Sequence, residues 1–389
     1  MLGQSFLPRV GGEELGMDLL AREFTKAGHH VTVHVQHASW LKSPPKLDLP
    51  YRVVWYRKAR SRHWTAPFLR RSLKRLYKSW PYDILYCRKL YPAGFAALQA
   101  ARDVQVPLVL SLHDSWTAKA KARRSNPVAA MMSPLAAKER KQVYQTLDET
   151  DAIIALNEYM RTYILGVCPT CSKRLHVIPN GVDVDCFVRP AIGTGPLALQ
   201  YAEQRGHFFL FMGRLGYVKG LDVLIEAFRM VAKRDPDIML IVAGEGPEGP
   251  ALRQRVKAIG LEDRIHFVGT VQGDDRAWLM QNALGFVLPS RIETFGKVTV
   301  EAFACGTPVI GSRLGGIAEL IQPGLNGLLV EPGDADVLGR GMCELLDDPQ
   351  GRERMRVHAR ATAQRYAGPT VAQQYLALFE QVVSQRQNS

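Results

Sequence analysis

The stretch FLFMGRLGYVKGLDVLIEAF (209–228) has the pattern of a strand, a glycine-rich turn and a helix. An apolar run ends at Gly213, and after Leu221 the apolar residues recur at helical spacing. The turn between them carries Arg214 and Lys219. Two cations beside the positive end of a helix would repel each other unless an anion lies between them. The stretch therefore predicts an α/β unit that binds an anion, and a diphosphate fits these two charges.

The same alternation of strands and helices runs along both halves of the chain. In the first half the β-rich runs are GHHVTVHV (28–35), YDILYC (82–87), VPLVLSL (106–112), DAIIAL (151–156) and RLHVIP (174–179). In the second half they are HFFLFMG (207–213), IMLIVAG (238–244), RIHFVG (264–269), LGFVLPS (284–290) and TPVIGS (307–312). Such alternation implies parallel sheets that are covered on both faces.

We therefore expect an α/β fold with two doubly wound, Rossmann-like domains that face a central cleft. The predicted domains are residues 1–190 and 191–369, with AIGTGPLA (191–198) as the most loop-like linker and a last helix, about 370–389, that returns to the first domain. In sheets of this kind, ligands bind at the carboxyl ends of the strands.

The composition of the chain is that of a globular protein. The chain has 389 residues, 47% of them hydrophobic and 22% charged, which is typical of a globular protein with two domains. No run approaches the ~20 apolar residues needed to cross a bilayer, and the N-terminus lacks the pattern of a signal peptide. Six cysteines spread over this length do not indicate a disulfide framework. We expect reduced thiols and a cytoplasmic site of action.

The positive charge is concentrated in the first half. Residues 1–190 hold 29 Lys and Arg against 15 Asp and Glu, whereas the rest of the chain holds 21 against 22. Segment 51–80 holds ten Lys and Arg and no acid. Within it, an apolar stripe at helical spacing comprises Phe68, Leu69, Leu73, Leu76 and Tyr77. Trp64 and Trp80 flank this stripe. The opposite face includes four basic residues, Arg70, Arg71, Lys74 and Arg75.

This pattern predicts a basic amphipathic helix. It is compatible with a solvated surface helix that packs on its own domain, and equally with attachment to an anionic membrane surface or a polyanionic acceptor. Nucleic acid is a weaker candidate because no recognition motif accompanies the charge.

A second loop completes the predicted anion site. In SRIETFGKVTVEAFACGTPVIGS (290–312), Glu293 lies in a loop after a predicted strand, and a helix is expected to start near Phe295. Gly296 and Lys297 would then offer backbone N–H groups to the anion. Glu301 lies in the helix among apolar neighbours, where an acid needs hydrogen-bond donors, and a ribose diol supplies two.

The motifs of the whole chain resemble those of the retaining glycosyltransferases of family 4, which have the GT-B fold. The motifs are GGEE (11–14), SLHDSW (111–116), HVIPNGVDVDCF (176–187), GRLGYVKG (213–220) and the pair of glutamates in ETFGKVTVE (293–301). In that family the C-terminal domain binds a nucleotide-sugar and the N-terminal domain binds the acceptor. The resemblance implies an enzyme that uses a UDP- or GDP-linked sugar.

The resemblance also implies roles for residues of the C-terminal half. Arg214 and Lys219 would hold the donor diphosphate, Glu301 would bind the ribose hydroxyls, and Glu293 would bind the transferred sugar with help from the Phe295–Gly296 backbone. The leaving phosphate would take the proton of the acceptor, so no protein nucleophile is needed. The cations would replace a divalent metal, and no other cofactor is expected.

For the N-terminal half, the resemblance implies two further roles. Gly12 would approach the donor phosphate with its backbone N–H, and His113 would lie against the transferred sugar near the reacting carbon. One departure from the family is the first strand, because only MLGQS precedes the FLPRVGG loop. We expect a shortened strand or a start a few residues inside the natural protein.

Two other motifs could bind metal. DVD (183–185) is an Asp-x-Asp pattern, but it follows an Asn-Gly turn, and isolated matches carry a high false-positive risk. CPTC (168–171), with His176 and Cys186 nearby, invites a zinc or redox interpretation, but a single C-x-x-C without a second pair is weak. We expect no metal at the first and plain structural thiols at the second.

The sequence therefore predicts a metal-independent, retaining hexosyltransferase at the inner face of the membrane that builds a glycolipid or polysaccharide precursor. The first alternative is the same chemistry on a soluble small acceptor. A dinucleotide-dependent oxidoreductase is disfavoured because GGEELG (11–16) is not a G-x-G-x-x-G motif. A non-catalytic GT-B binding protein is disfavoured because the charged residues of the donor site are all present.

Overall fold

A computed structural model describes residues 1–8, 11–36, 45–57, 62–113 and 134–388. The chain forms two compact units, Met1–Gly181 with Gly368–Ser389, and Val182–Ala367. The chain thus leaves the first unit at Gly181, before the expected boundary at residue 190, and returns to it at Gly368.

The N-terminal unit contains a parallel sheet of order β3-β2-β1-β4-β5-β6-β7. Its strands are β1 (Leu2–Gly3), β2 (Thr32–Gln36), β3 (Arg52–Tyr56), β4 (Leu85–Cys87), β5 (Leu108–Leu112), β6 (Ala152–Ala155) and β7 (Leu175–Val177). Its helices are α1 (Gly12–Lys26), α2 (Arg62–Ser79), α3 (Ala93–Val104), α4 (Pro134–Glu149) and α5 (Glu158–Val167), followed by a 3-10 helix, Pro169–Arg174. The strand order reverses between β1 and β4, so their carboxyl ends form the switch point.

Strand β1 is short but central. Its two residues pair with β2 on one side and β4 on the other. The amino group of Met1 donates a hydrogen bond to the carbonyl oxygen of Thr32 at 2.7 Å, which extends the contact with β2. The sequence pattern did not identify β3, because its residues lie at the start of the basic segment.

The C-terminal unit contains a second parallel sheet, of order β10-β9-β8-β11-β12-β13. Its strands are β8 (Phe208–Met212), β9 (Met239–Ala243), β10 (Ile265–Gly269), β11 (Gly285–Leu288), β12 (Val309–Ser312) and β13 (Gly327–Val330). Its helices are α6 (Val184–Val188), α7 (Pro196–Gln200), α8 (Leu221–Arg234), α9 (Gly249–Ala258), α10 (Gly273–Asn282), α11 (Lys297–Ala304), α12 (Gly315–Leu320), α13 (Ala335–Asp347) and α14 (Pro349–Gln364), with 3-10 helices at Ala202–Gln204 and Tyr217–Lys219. The order reverses between β8 and β11, and β13 is a strand that the sequence pattern missed. The two parallel sheets with their helices are the α/β fold that the sequence predicts.

The last helix, α15 (Gly368–Gln387), packs into the N-terminal unit. The ring centroids of Phe379 and Phe24 of α1 are 5.7 Å apart, and those of Tyr375 and Tyr86 of β4 are 5.6 Å apart. These aromatic contacts bury a large apolar area.

The basic segment forms α2 over part of its length. Of the predicted apolar stripe, Leu69, Leu73 and Leu76 are buried, whereas the side chain of Phe68 is 42% exposed. Residues 58–61, the side chain of Trp64 and the 114–116 part of the SLHDSW motif lie outside the described part of the chain. Among the described helices, none is long and apolar enough to cross a membrane.

Candidate functional site

The loops that follow β8 and β11 lie at the same edge of the C-terminal sheet, because these strands are parallel neighbours. The first loop carries Arg214 and Lys219, and the second carries Glu293. Lys219 Nζ donates to Glu293 Oε2 at 2.6 Å, and the side chains are only 21% and 15% exposed. Two residues separated by 74 positions thus meet at the switch point, where ligands of such sheets bind.

Arg214 differs from Lys219 in its surroundings. It is exposed, and within the described part of the chain it has no ion-pair partner. The residue before it, Gly213, donates its backbone N–H to the carbonyl of Ala243 at 2.9 Å, which fixes the turn against β9. Arg214 is therefore available to an anion at this edge.

Gly220 and Gly296 set the two helix starts at this edge. Gly220 has φ +68°, and a Cβ there would lie 2.0 Å from the carbonyl oxygen of Pro289, so only glycine fits. Helix α8 begins immediately after it at Leu221, as predicted. Gly296 has φ +88° and caps α11, which begins at Lys297, two residues after Phe295, near which the sequence predicts the start. The positive end of the α11 dipole therefore lies at Gly296–Lys297, beside Glu293 in the same loop.

Phe295 serves as an anchor for this loop. Its side chain is 3% exposed, and its ring meets that of Tyr366 edge to face, with centroids 5.9 Å apart. The side chain packs inward, so only its backbone can contribute to a ligand site. This is the role that the resemblance implies for Phe295 and Gly296.

Glu301 is buried, with 7% exposure, and forms an ion pair with Arg276 of α10. The Arg276 guanidinium also lies 5.9 Å from the ring centre of Phe187. A buried carboxylate needs a cation or hydrogen-bond donors, and Arg276 supplies both. Arg276 was not predicted from the sequence, because no local pattern marks it as the partner of an acid in another helix.

Arg291 joins the two loops. Its guanidinium donates two hydrogen bonds of 2.7 Å to the carboxylate of Asp222 in α8 and one of 3.0 Å to the carbonyl of Tyr217. Its backbone N–H donates to the carbonyl of Val218 at 2.8 Å. The bidentate bond from Arg291 lowers the pKa of Asp222. This arrangement holds the turn that carries Lys219 against the loop that carries Glu293.

The carboxyl edge of the N-terminal sheet holds a buried arginine. Arg88 follows β4 directly and is 1% exposed. Its Nε donates to Nε2 of His113 at 3.1 Å, and its other nitrogens donate to the carbonyl of Glu13 at 3.1 Å and to Oδ1 of Asn180 at 3.4 Å. The hydroxyl of Ser111 is 2.9 Å from the same His113 nitrogen. Since a guanidinium can only donate, Nε2 accepts from Arg88, and a second Arg88 nitrogen lies 3.2 Å from His113 Nδ1.

His113 was predicted as a site residue from the sequence, whereas Arg88 was not. The available signal was a pair of cations, Arg88 and Lys89, directly after the predicted strand YDILYC (82–87). Lys89 Nζ pairs with Glu13 Oε2 at 2.7 Å. Gly12 is the first residue of α1, at the positive end of that helix and at the same carboxyl edge of the sheet.

The other two motifs have structural partners. Asp183 caps α6 by accepting from the N–H of Cys186 at 3.3 Å. Cys168 and Cys171 are both buried, the Cys171 thiol donates to the Cys168 carbonyl at 2.9 Å, and burial raises the pKa of the Cys171 thiol to about 11. Within the described residues, no group of three His, Cys, Asp or Glu side chains is arranged to hold a metal ion.

Comparison with known proteins identifies the family. Two family models match the chain, "Glycosyltransferase Family 4" over residues 10–186 and "Glycosyl transferases group 1" over residues 201–362. The D-inositol 3-phosphate glycosyltransferase of Jonesia denitrificans is 31% identical, over 86% of this chain and 78% of the relative. That of Xylanimonas cellulosilytica is 29% identical, over 83% and 77%.

Solved structures share the fold. Anabaena Alr3699/HepE in complex with UDP-glucose superposes with a TM-score of 0.75 at 22% identity over 98% of both chains. Sucrose-phosphate synthase from Thermosynechococcus elongatus has a TM-score of 0.78 at 22% identity, over 96% of this chain and 94% of the other. The chain therefore belongs to the family 4 glycosyltransferases with the GT-B fold, enzymes that transfer a sugar from a nucleotide-sugar donor.

Proposed function

We propose that this enzyme transfers a hexose from a UDP- or GDP-linked donor to a glycolipid or polysaccharide precursor, with retention of configuration and without a metal ion. The donor assignment rests on one observation. Lys219 and Glu293 form an ion pair at the β8–β11 switch point, beside the exposed Arg214 and the start of α11. This edge offers cations for a diphosphate and an acid for sugar hydroxyls.

The chemistry follows from the charge that develops at the bond between the anomeric carbon and the β-phosphate oxygen. As that bond breaks, negative charge grows on the phosphate, where Arg214, Lys219 and the positive end of α11 stabilise it. When Lys219 turns to the phosphate, Glu293 becomes free to accept hydrogen bonds from the hexose. The leaving phosphate oxygen takes the proton of the acceptor hydroxyl on the same face, which retains the configuration.

The rest of the nucleotide is assigned to Glu301 and Arg276. A ribose diol would donate to the Glu301 carboxylate, which Arg276 already holds in place. We assign Gly12 and His113, at the edge of the other sheet, to the reacting end of donor and acceptor. The protein cations meet the diphosphate charge, so the proposal includes no metal and no other cofactor.

The acceptor is proposed to be lipid-linked or a growing glycan, and the enzyme to lie peripherally on the inner face of the membrane. The observation in favour is the basic face of α2, where Arg71 and Arg75 are exposed. WaaG, whose structure has a TM-score of 0.74 at 18% identity, is described as a glycosyltransferase of lipopolysaccharide biosynthesis. A soluble small acceptor is the second candidate, because the relatives from Jonesia and Xylanimonas are named for D-inositol 3-phosphate.

A screen of nucleotide-sugars tests the donor proposal. Slow hydrolysis in the absence of acceptor should occur with at least one UDP- or GDP-linked hexose, in buffer that contains EDTA. Calorimetry should show binding of UDP or GDP and no binding of NAD. If no UDP- or GDP-linked sugar is hydrolysed and neither nucleotide binds, the donor proposal is wrong.

Sedimentation with liposomes tests the membrane proposal. The protein should sediment with anionic liposomes at low salt and not with neutral ones, because each basic residue near an anionic surface contributes about 1 kcal/mol. High salt should release it, since the Debye length falls from ~10 Å at 0.1 M to ~3 Å at 1 M. Replacement of Arg70, Arg71, Lys74 and Arg75 with glutamate should abolish sedimentation with anionic liposomes. Failure of the unmodified protein to bind anionic liposomes would favour the soluble acceptor.

A further inference from the structure

A groove lies between α2, α3 and α4 of the N-terminal unit, with a volume of about 620 Å³. Among the described residues, its lining includes Arg70, Arg71 and Lys74 of α2 and Lys138 of α4, with Glu139 as the one carboxylate. Three of the basic residues that the sequence places on a membrane face therefore line a concave site together with a lysine from a distant part of the chain.

The four cations of the groove are not equivalent. Asp103 of α3 holds Arg70 at 2.6 Å and Lys74 at 3.2 Å, so these two are already paired. Arg71 and Lys138 are exposed, and neither has an ion-pair partner among the residues that the structure describes. Two unpaired cations on two helices that face one groove leave a positive site that a multivalent anion can neutralise.

The remaining lining combines the amides of Gln99 and Gln142 with apolar groups. Tyr91, just before α3, and Phe95 and Ala96 in its first turn contribute two half-buried rings and a buried methyl group. Phe68 is not part of the lining, but it is 42% exposed and lies three residues before Arg71, which places both on one side of α2. Exposed aromatic rings beside basic residues are typical of surfaces that meet lipid.

We propose that this groove binds the phosphate head group and the first carbons of an anionic amphiphile, with Arg71 and Lys138 on the phosphate and Tyr91 and Phe95 on the hydrocarbon. The inference rests on the proposed function, since it gives the lipid-linked acceptor a defined place. It differs from general attraction to a membrane, because it requires one molecule per chain and both helices.

The test is calorimetric titration of the full chain with dihexanoyl phosphatidic acid below its micellar concentration. The groove variant is Arg71→Gln with Lys138→Gln. The matched control is Lys78→Gln with Lys141→Gln, which removes the same charge from the same two helices at exposed positions outside the groove lining. We expect a stoichiometry of one, a loss of affinity of at least tenfold in the groove variant, and a change of less than about twofold in the control.

Two further ligands test whether the groove needs both the phosphate and the hydrocarbon chains. Dihexanoyl phosphatidylcholine has the same chains with a neutral head group, and glycerol 3-phosphate has the head group without chains. Both should bind at least tenfold more weakly than the phosphatidic acid. Equal affinity of glycerol 3-phosphate would overturn the amphiphile and assign the groove to a soluble phosphate.

Equal losses in the groove variant and the control would also overturn the proposal, because they would show diffuse attraction. The thermal unfolding midpoint of each variant identifies any loss that comes from misfolding, and Phe95→Ser then gives an independent test of the apolar contact. None of these titrations uses a nucleotide-sugar. Hydrolysis of the donor without lipid binding would refute the groove alone, whereas lipid binding without hydrolysis would refute the donor proposal alone.

Discussion

The carboxyl edges of the two sheets stabilise their charges in different ways. At the β8–β11 edge, Glu293 faces Lys219 and Glu301 faces Arg276, so each acid has its own cation. At the β1–β4 edge, Arg88 is buried among the His113 ring, the Asn180 amide and a main-chain carbonyl. The first arrangement can exchange partners with a ligand, and the second cannot do so without exposing a buried charge.

This difference explains what each edge can do. A nucleotide-sugar brings both a diphosphate for the cations and hydroxyls for the acids, so it can replace the internal ion pairs without leaving any group unpaired. The N-terminal edge instead holds the imidazole of His113 between Arg88 and Ser111. We infer that the carboxyl edge of the C-terminal sheet (the C-terminal edge) binds a ligand by exchanging its ion-pair partners for ligand groups. The carboxyl edge of the N-terminal sheet (the N-terminal edge) holds its side chains in fixed positions.

The largest expected effect comes from the cations of the C-terminal edge. Lys219→Ala or Arg214→Ala should lower the kcat of donor hydrolysis by a factor of order 10², because each removes a charge that we propose stabilises the leaving phosphate. Lys233→Ala, an exposed lysine in the last turn of α8, is the control and should leave kcat unchanged. Near-normal kcat in both variants would refute the diphosphate assignment.

Arg88 tests the fixed geometry of the N-terminal edge. Arg88→Met should lower kcat by about tenfold to a hundredfold, the equivalent of a charge-assisted hydrogen bond of about 1.5–3 kcal/mol. It should also create an acid limb in the pH–rate profile, because the His113 nitrogen then no longer has to accept a hydrogen bond from a guanidinium. Arg88→Lys should restore part of the rate and shift the limb to lower pH. A lower rate with an unchanged pH profile would mean that Arg88 is only structural.

Arg276 tests whether the exchange extends to the ribose. Arg276→Gln leaves Glu301 buried without its cation, so we expect the KM for the donor to rise about tenfold with a smaller change in kcat. A uridine series sharpens the test: 2′,3′-dideoxy-UDP should lose affinity against the wild type and lose much less against Glu301→Gln. Equal losses of affinity in the wild type and in Glu301→Gln would show that Glu301 does not bind the ribose.

The smallest effect concerns the Arg291–Asp222 link. Arg291 lowers the folded-state pKa of Asp222 below the ordinary value of 3.8, so the pair stabilises the fold above that value and the contribution is lost as pH falls through the folded-state pKa. Because both side chains are partly exposed, the contribution at pH 7 should be only about 0.2–1 kcal/mol. Urea unfolding should therefore separate Arg291→Gln from the wild type at pH 7, and the difference should shrink near pH 3. A difference that grows in acid would contradict this account.

Much of the C-terminal edge could be predicted from sequence, because Arg214, Lys219 and Glu293 lie in loops directly after strong apolar strands. The pairing of Arg276 with Glu301 could not, since it depends on how α10 and α11 pack. The start of α11 was expected near Phe295 and lies two residues later, at Lys297, because Gly296 has φ +88°, a conformation that the pattern of apolar residues does not reveal.

The N-terminal half was less predictable for two physical reasons. Strand β3 (Arg52–Tyr56) lies at the start of the basic segment, so its alternation was obscured by the charge of the residues that follow. Asp103, which pairs with Arg70 and Lys74, comes from another helix, so the basic face of α2 looked more open in the sequence than it is.

The most direct test of exchange at the C-terminal edge is the affinity for UDP or GDP, whichever the donor screen selects, measured by calorimetry with EDTA present. We predict that the nucleoside diphosphate binds without a metal, that the nucleoside alone binds at least a hundredfold more weakly, and that Lys219→Gln removes most of this difference. Binding that requires Mg²⁺, or that is the same in Lys219→Gln as in the wild type, would contradict the account.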